Sequence, residues 1–313
     1  MKTVVLNAAK WNYDGVLDLQ SLSDDVTVYD NSAEGEIVLR AAGAAALVTK
    51  ELPIPAAVVE GLPESVKLIC EAGTGYNNID LAACQKRGIA VCNTPAYSTE
   101  RVAHTAILLL LSLASSLRCQ MAALTRGDRS NFTDHLSVPH TEVNGKTLGV
   151  VGYGHIGSEV AKIAQALGME VLVYTRTVKD DPAVRFVTLD TLLERSDYVT
   201  LHCPLNEHTR HLLDADAIAK MKDGACVINT GRGALIDEPA LIAALKSGKL
   251  AGAGLDVQET EPPAADNPLY DMENVILTPH MGWKGLETRR RLLGIVRDNL
   301  TAFARGEAIN LVG

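Results

Sequence analysis

The stretch VVGYGHIGSEVAKIAQALG, residues 150–168, decides the fold of this chain. An apolar run leads into three glycines, Gly152, Gly154 and Gly157, and a helix-compatible segment follows them. In a dinucleotide-binding turn the first glycine permits the tight bend, the second lets a pyrophosphate approach the backbone, and the third allows close packing of helix on strand. Because the apolar run MEVLVY follows at the expected place, the stretch predicts a strand–turn–helix unit that binds a dinucleotide.

Short β-type runs alternate with helix-compatible segments along most of the chain. Before residue 95 the pattern predicts strands in KTVVLNA, ALVT, KLICEAG and IAVCNT, and the apolar stretch TPAYSTERVAHTAILLLLSLASSL after them predicts a long helix. Further strands are predicted near residues 147–151, 170–174, 197–202, 225–229, 252–257 and 274–278. This alternation is typical of parallel sheets covered by helices. We therefore predict an α/β protein with two Rossmann-like parallel-sheet domains, the second of them doubly wound.

Composition and charge exclude several classes of protein. The formal net charge of −9 opposes binding to nucleic acid or to an anionic membrane surface, since both require clustered Lys and Arg. The six cysteines have no CxxC spacing, which favours reduced, buried thiols over a zinc site. No apolar run is long enough to span a membrane, and the N-terminus lacks the pattern of a signal peptide. We expect a cytoplasmic protein without a metal ion.

The end of the second strand of the dinucleotide unit bears on the choice of cofactor. An acid at this point accepts hydrogen bonds from the ribose hydroxyls of NAD(H), but this chain has Thr175 followed by Arg176. Loss of the carboxylate removes repulsion of a ribose phosphate, and a guanidinium binds such a phosphate directly. The sequence therefore favours NADP(H), with NAD(H) as the alternative if Arg176 faces only solvent.

Polar residues follow several of the predicted strands, at the edge where an open parallel sheet binds its ligands. Arg232 lies in NTGRG, Glu261 in LDVQETEP and His280 in LTPHMGW. Taken singly, these residues are ordinary: a surface cation, a solvated acid and a structural histidine. Together they suit the reduction of a 2-oxo acid, which needs a proton for the developing alkoxide and a counter-charge for the carboxylate. We predict that His280 is the acid–base, Glu261 its partner and Arg232 the cation that binds substrate.

The motifs GYGHIG, CPLNEHT, NTGRGALID, GLDVQETEP and LTPHMGW, in this order, resemble those of the D-isomer-specific 2-hydroxyacid dehydrogenase family over nearly the whole chain. The family's catalytic arginine, glutamate and histidine match Arg232, Glu261 and His280. The resemblance also implies a flavodoxin-like substrate-binding domain of residues 1–97 plus 287–313, a dinucleotide-binding domain of residues 98–286, and a homodimer formed through the latter. It adds cofactor contacts at His155, Ile156, Cys203, Pro204, Thr230, Asp256 and Gly282.

The resemblance gives the segment EAGTGYNNID a function as well. From its residues alone, a glycine turn that ends a strand is the plainer interpretation. With the family in view, the substrate carboxylate is expected opposite Arg232, on a nest of backbone amides from Ala72, Gly73, Thr74 and Gly75. Lys50 and Trp283 are further pocket candidates, and either is equally compatible with packing or surface exposure.

The segments GTGYNNID, NTPAYST and TPHMGW most resemble the glycerate dehydrogenase and hydroxypyruvate or glyoxylate reductase branch of the family. We therefore predict NAD(P)-dependent reduction of a small 2-oxo acid, with hydroxypyruvate or glyoxylate favoured, to the D-2-hydroxy acid. D-lactate dehydrogenase and D-3-phosphoglycerate dehydrogenase are alternatives. The alternative from another class is a dinucleotide-sensing, corepressor-like binding protein, since such relatives can retain the three catalytic residues.

Overall fold

The computed structural model describes residues 1–313, which form two compact units. The first unit comprises Met1–Ser98 and Trp283–Gly313, and the second comprises Thr99–Gly282. The sequence placed the last boundary after residue 286, whereas the structure places it after Gly282. The physical reason is Trp283, which packs among the buried apolar side chains of the first unit.

The two units contain twelve strands and eleven helices. The strands, in chain order, are β1 (Lys2–Val5), β2 (Asp25–Val28), β3 (Ala46–Thr49), β4 (Leu68–Glu71), β5 (Ala90–Cys92), β6 (Thr147–Val151), β7 (Glu170–Tyr174), β8 (Arg185–Phe186), β9 (Tyr198–Leu201), β10 (Ala225–Asn229), β11 (Leu250–Leu255) and β12 (Val275–Leu277). The helices are α1 (Glu34–Arg40), α2 (Ala56–Gly61), α3 (Leu81–Lys86), α4 (Thr99–Ala114), α5 (Leu117–Thr125), α6 (Ser130–Thr133), α7 (His155–Ala166), α8 (Leu189–Arg195), α9 (Ala215–Lys220), α10 (Glu238–Ser247) and α11 (Leu286–Ala304).

The first unit is built on a five-stranded parallel sheet in the order β2-β1-β3-β4-β5. This is the flavodoxin-like order, so the predicted class of the first sheet is confirmed. Successive side chains point to opposite faces of a strand, and Val4 and Val5 accordingly enter two different apolar clusters. Helix α11 adds Leu292, Val296 and Leu300 to the second cluster, at helical spacing.

Strand β2 was not predicted, and its burial explains why. It lies at the edge of the sheet and pairs only with β1. Its residues, DVTV, are exposed at Asp25 and only partly buried afterwards. Because a half-exposed edge strand lacks the continuous apolar run of a central parallel strand, its sequence carries little signal.

The second unit is built on a seven-stranded parallel sheet in the order β12-β11-β10-β9-β6-β7-β8. From β6 the chain runs outward to β7 and β8, then returns to the other side of β6 at β9, so the strand order reverses between β6 and β9. Ligands of doubly wound sheets bind at such a reversal, outside the carboxyl ends of the strands. The six predicted strands are all present; the additional β8 has two residues, too few to produce a periodic pattern.

The long helix predicted in the stretch that ends at residue 117 is α4, and a second helix, α5, follows it. Helix α4 ends at Ala114 and α5 begins at Leu117, because Ser116 adopts a left-handed backbone conformation, with φ 47°. Helix α4 packs on β11, where a Cβ atom at Gly254 would lie 2.8 Å from Leu109 Cβ. No single helix is long and apolar enough to cross a membrane; α4 and α5, bent by 64°, reach that length and composition only as a pair.

Candidate active site

The glycine turn after β6 has the geometry that a dinucleotide requires. Gly152 has φ 95°, and a Cβ atom there would lie 2.5 Å from the backbone nitrogen of Cys203. A Cβ atom at Gly157 would lie 2.0 Å from the Gly152 carbonyl oxygen, whereas one at Gly154 would meet nothing within 4 Å. The first and third glycines are therefore needed for packing, and the second leaves open space in front of α7. No side chain caps α7, so its N-terminus suits an anionic ligand.

The segment after β9 packs directly against this turn. Cys203 follows the strand, and burial raises the pKa of its thiol to about 11, so the group stays protonated near neutral pH. The neighbouring His202 ring lies 2.9 Å from Thr200 Oγ1 through Nε2. Burial lowers the pKa of His202 to about 3, which makes it a neutral, structural histidine. Cys203 and Pro204 thus lie where the sequence placed them, at the strand edge beside the glycine turn.

The bend after β10 carries Thr230 and Arg232. Thr230 is buried, and its hydroxyl has no hydrogen-bond partner within the protein, as expected of a group that meets a ligand. The side chain of Asn229 holds the bend: its Nδ2 donates to the Arg232 carbonyl at 2.8 Å, and its Oδ1 accepts from the Gly231 amide at 3.0 Å. A Cβ atom at Gly233 would lie 1.9 Å from the Gln258 carbonyl. The Arg232 bend therefore packs against the segment that follows β11.

The segment after β11 carries Glu261, which pairs with His280, the predicted acid–base. His280 Nδ1 lies 2.8 Å from Glu261 Oε2, and Glu261 Oε1 accepts a hydrogen bond from the Gln258 amide at 3.1 Å. His280 has a left-handed backbone conformation, with φ 47°. Non-glycine residues held in this region cluster at functional sites, because the surrounding structure must support the strain.

Asp256 anchors the loop on which His280 lies. Its carboxylate accepts hydrogen bonds from Thr278 Oγ1 at 2.6 Å and from the amides of Met281 and Gly282 at 2.8 and 2.7 Å. Asp256 is buried, and a Cβ atom at Gly282 would lie 2.8 Å from its Oδ2. The sequence treated Asp256 and Gly282 as cofactor contacts; the structure adds that together they fix the loop on both sides of His280.

The residues after β7 are more open to solvent than the segments that follow the other strands of the site. Thr175 is half-buried and Arg176 exposed, and Arg176 forms no ion pair. A partnerless guanidinium at the end of the second strand is compatible with a ribose phosphate. It is equally compatible with the solvent-facing alternative.

The predicted substrate segment follows β4 in the first unit. The amide of Ala72 donates to the Thr49 carbonyl at 2.7 Å, which removes Ala72 from the predicted nest of amides, because an amide has only one hydrogen to donate. The amides of Gly73, Thr74 and Gly75 make no backbone hydrogen bond. Asn93 Nδ2 holds the segment by donating to the Thr74 carbonyl at 2.7 Å.

Lys50 and Trp283 meet within the first unit. Lys50 Nζ lies 4.2 Å from the centre of the Trp283 ring and 2.8 Å from Glu51 Oε1. Both side chains are buried, and the Trp283 indole nitrogen has no hydrogen-bond partner. Glu71 lies nearby; burial raises its pKa to about 7, against the opposing effect of the Lys50 charge. A Cβ atom at Gly73 would lie 3.2 Å from Lys50 Nζ, so this charged cluster supports the predicted substrate segment.

Comparison with known proteins identifies the family. Residues 107–282 match the family model for the NAD binding domain of D-isomer specific 2-hydroxyacid dehydrogenases. The chain belongs to this family. It is therefore an oxidoreductase that acts on CH–OH groups with a nicotinamide dinucleotide, and the resemblance inferred from its motifs is confirmed.

Individual relatives match this dehydrogenase over its full length. The hydroxypyruvate reductase of Blautia hydrogenotrophica is 39% identical over 322 aligned positions, which cover 100% of this chain and 99% of the relative. The NADPH-dependent glyoxylate/hydroxypyruvate reductase of Sinorhizobium meliloti, solved with NADP and malonate, has a TM-score of 0.86 at 28% identity, covering 100% and 96% of the two chains. The D-lactate dehydrogenase of Aquifex aeolicus, solved with NAD and lactic acid, has a TM-score of 0.88 at 30% identity and 99% coverage of both.

The dehydrogenase also contains a second histidine–glutamate pair, which the sequence did not predict. His211 Nε2 lies 2.7 Å from Glu259 Oε1, and the Arg210 guanidinium lies 3.8 Å from the same oxygen. His211 shares the left-handed backbone of His280, with φ 52°. The two members are separated by 48 positions, and no local pattern joins them.

Proposed function

We propose that this dehydrogenase reduces hydroxypyruvate or glyoxylate to the 2-hydroxy acid, in the D configuration where C2 becomes chiral, with NADP(H) as the preferred cofactor. The observation that carries the proposal is the His280–Glu261 pair, 2.8 Å apart at the strand ends of the cofactor unit. It occurs in a chain whose full-length relative in Blautia hydrogenotrophica is a hydroxypyruvate reductase.

The proposed chemistry divides among three side chains. A reduced nicotinamide bound in the cofactor unit would supply the hydride that C2 of the substrate accepts. His280, as imidazolium, gives a proton to the carbonyl oxygen through Nε2, because Nδ1 is bonded to Glu261. Glu261 stabilises the imidazolium and keeps the ring in one orientation. Arg232 neutralises the substrate carboxylate and polarises the carbonyl oxygen; in the reverse direction neutral His280 accepts the hydroxyl proton.

The first unit is proposed to bind the substrate carboxylate through the amides of Gly73, Thr74 and Gly75. Successive amides without backbone partners form concave sites for anions, and these three make no backbone hydrogen bond. Lys50 Nζ and Glu71 Oε1 support this segment, at 3.2 and 3.0 Å from a Cβ atom placed on Gly73.

The cofactor preference rests on the residues after β7. Thr175 stands where NAD-dependent enzymes carry an acid, and Arg176 is exposed without an ion pair. The similar enzyme from Sinorhizobium meliloti is NADPH-dependent, whereas the one from Aquifex aeolicus was solved with NAD. The likeness to relatives therefore supports a nicotinamide cofactor of either kind, and the local chemistry favours the phosphorylated form.

We also propose a homodimer that assembles through the second unit. Helix α5 exposes Leu117, Met121 and Leu124 on one face, and Phe132 follows with 77% of its surface exposed. Clustered apolar side chains of this kind mark interaction surfaces. Light scattering on the purified protein should give twice the mass of the chain, and Met121→Glu should shift the protein toward monomer. A monomeric wild type would remove this part of the proposal.

A cytoplasmic location is proposed from the cysteines. All six are free thiols, and Cys70, Cys84, Cys92 and Cys226 are buried. Unpaired thiols suit a reducing compartment. Labelling of thiols in freshly lysed cells tests this, because a disulfide in the native protein would contradict it.

The deciding experiment is a spectrophotometric screen of 2-oxo acids with NADPH and NADH. We expect the highest kcat/KM with hydroxypyruvate or glyoxylate and NADPH. A higher value with pyruvate or 3-phosphohydroxypyruvate would favour the D-lactate or D-3-phosphoglycerate dehydrogenase alternative. If the protein binds NADPH but turns over none of these acids, the corepressor-like binding protein becomes the better description.

A further inference from the structure

The connection between β7 and β8, residues 175–184, contains charges of both signs. Arg176 and Lys179 are exposed cations, and Asp180 and Asp181 follow them. An acid in this part of a dinucleotide fold accepts hydrogen bonds from the ribose hydroxyls and repels a ribose phosphate. Whether this connection favours a phosphate therefore depends on where its own carboxylates are held.

Asp181 is held by the glycine turn. Tyr153, which lies between Gly152 and Gly154, donates its hydroxyl hydrogen to Asp181 Oδ2 at 2.7 Å. The other carboxylate oxygen accepts from the Ala183 amide at 3.0 Å. Both oxygens of Asp181 thus have partners within the protein.

The tyrosine is itself fixed in place. Tyr153 is buried, and its ring packs edge-on against Phe186, with centroids 5.5 Å apart and planes at 89°. Burial and the hydrogen bond to Asp181 raise the pKa of Tyr153 to about 12, and the same bond lowers the pKa of Asp181. The phenol therefore stays a donor and the carboxylate stays ionised across the neutral range. Lys179 Nζ lies 5.7 Å from the ring centre, on the same connection.

We propose that Tyr153 is a specificity-determining residue for the cofactor, because its hydroxyl engages the Asp181 carboxylate and so leaves Arg176 and Lys179 as the charges that a 2′-phosphate meets. This inference rests on the proposed NADP(H) preference. It assigns a function to the second residue of the glycine turn, which the catalytic machinery does not use.

The proposal predicts how the ratio of kcat/KM for NADPH to that for NADH responds to substitution. Tyr153→Phe keeps the ring and removes the donor, so the freed carboxylate should lower the ratio by roughly tenfold, as expected for a like charge near a phosphate at a solvated site. The loss should appear in KM for NADPH, with kcat at saturating NADPH unchanged. Asp181→Asn alone should leave the ratio near the wild-type value, because the held carboxylate does not oppose the phosphate, and combining it with Tyr153→Phe should restore the ratio.

The double variant distinguishes an effect of the Asp181 charge from a loss of the structural support that Tyr153 gives. If Tyr153→Phe lowers kcat/KM equally for both cofactors, or if adding Asp181→Asn fails to restore the ratio, the proposal is overturned. Thermal unfolding without cofactor identifies a variant that fails to fold. In that case Asp181→Asn alone gives the reading, because a clear rise of the ratio would show that the carboxylate already opposes the phosphate in the wild type and would overturn the proposal. A wild type that prefers NADH would refute the proposed cofactor preference, whereas the shift between variant and wild type still measures the effect of Tyr153.

Discussion

Two histidine–glutamate pairs lie in the same unit and look alike at first. His280–Glu261 and His211–Glu259 have separations of 2.8 and 2.7 Å, and both histidines have left-handed backbones. Both glutamates lie in the segment after β11. The pairs differ in the ring nitrogen that binds the acid: Nδ1 in His280 and Nε2 in His211. The proposed proton transfer from His280 therefore uses Nε2, whereas in His211 the acid binds that nitrogen.

The surroundings of the two rings differ as well. The His280 loop is fixed by three hydrogen bonds to the Asp256 carboxylate. His211 is held by its own backbone, whose amide donates to the Ala234 carbonyl at 2.8 Å, and its acid is shared with Arg210. A histidine paired with an acid is thus insufficient to define a site. The proposed difference in function between the two histidines rests on the bonded nitrogen and on the support of the loop.

Replacing each histidine in turn should give the largest difference in kcat/KM between the two pairs. His280→Gln should lower kcat/KM by about 10²- to 10⁴-fold, the usual contribution of a positioned acid–base. His211→Gln is the matched control and should stay near the wild type. Steady-state kinetics with the best substrate of the screen measures both, and equal losses for the two variants would show that the assignment of His280 is wrong.

Replacement of Arg232 and of Arg210 should give the next largest difference. Arg232→Ala should cost about 2–4 kcal/mol of transition-state stabilisation, because it removes a charge-assisted partner of the substrate carboxylate. Arg210→Ala should have little effect, since Arg210 is exposed and lies 3.8 Å from Glu259. The ratio of kcat/KM between variant and wild type gives the cost directly. Near-normal kinetics of Arg232→Ala would remove this residue from the mechanism.

Local patterns in the sequence identified most of the fold and the ends of the strands that carry Arg232, Glu261 and His280. They did so because buried parallel strands are continuous apolar runs, and because the glycine turn requires fixed spacing. The edge strand β2 and the short β8 lack such a signal. The contacts of Asp256 and Tyr153 were also missed, since each joins segments that come together only in the folded sheet. The amide of Ala72 was misassigned because strand pairing, which uses it, extends one residue past β4.

A smaller effect is expected when each acid loses its charge. Glu261→Gln removes the carboxylate whose Oε2 lies 2.8 Å from His280 Nδ1. Because a charge-assisted hydrogen bond becomes a neutral one and holds the ring less firmly, kcat/KM should fall by on the order of ten- to a hundredfold. Glu259→Gln should leave kcat/KM near the wild-type value. Wild-type kinetics for Glu261→Gln would show that the acid does not act on His280.

Loss of a hydrogen bond that supports the His280 loop should give the smallest change in rate. Asp256→Asn places an amide group among three donors, so at least one of the hydrogen bonds from Thr278, Met281 or Gly282 is lost. Because a displaced acid–base loses alignment with its substrate, kcat should fall by about tenfold while the pH profile keeps its position. Asp237→Ala is the control: Asp237 caps α10 by accepting from the Ala240 amide at 3.1 Å, so removal of this cap should lower Tm and leave kcat unchanged. If Asp256→Asn lowers Tm without lowering kcat, the loop does not depend on Asp256 for its catalytic position, and the difference between the two histidine pairs reduces to the nitrogen that each one uses.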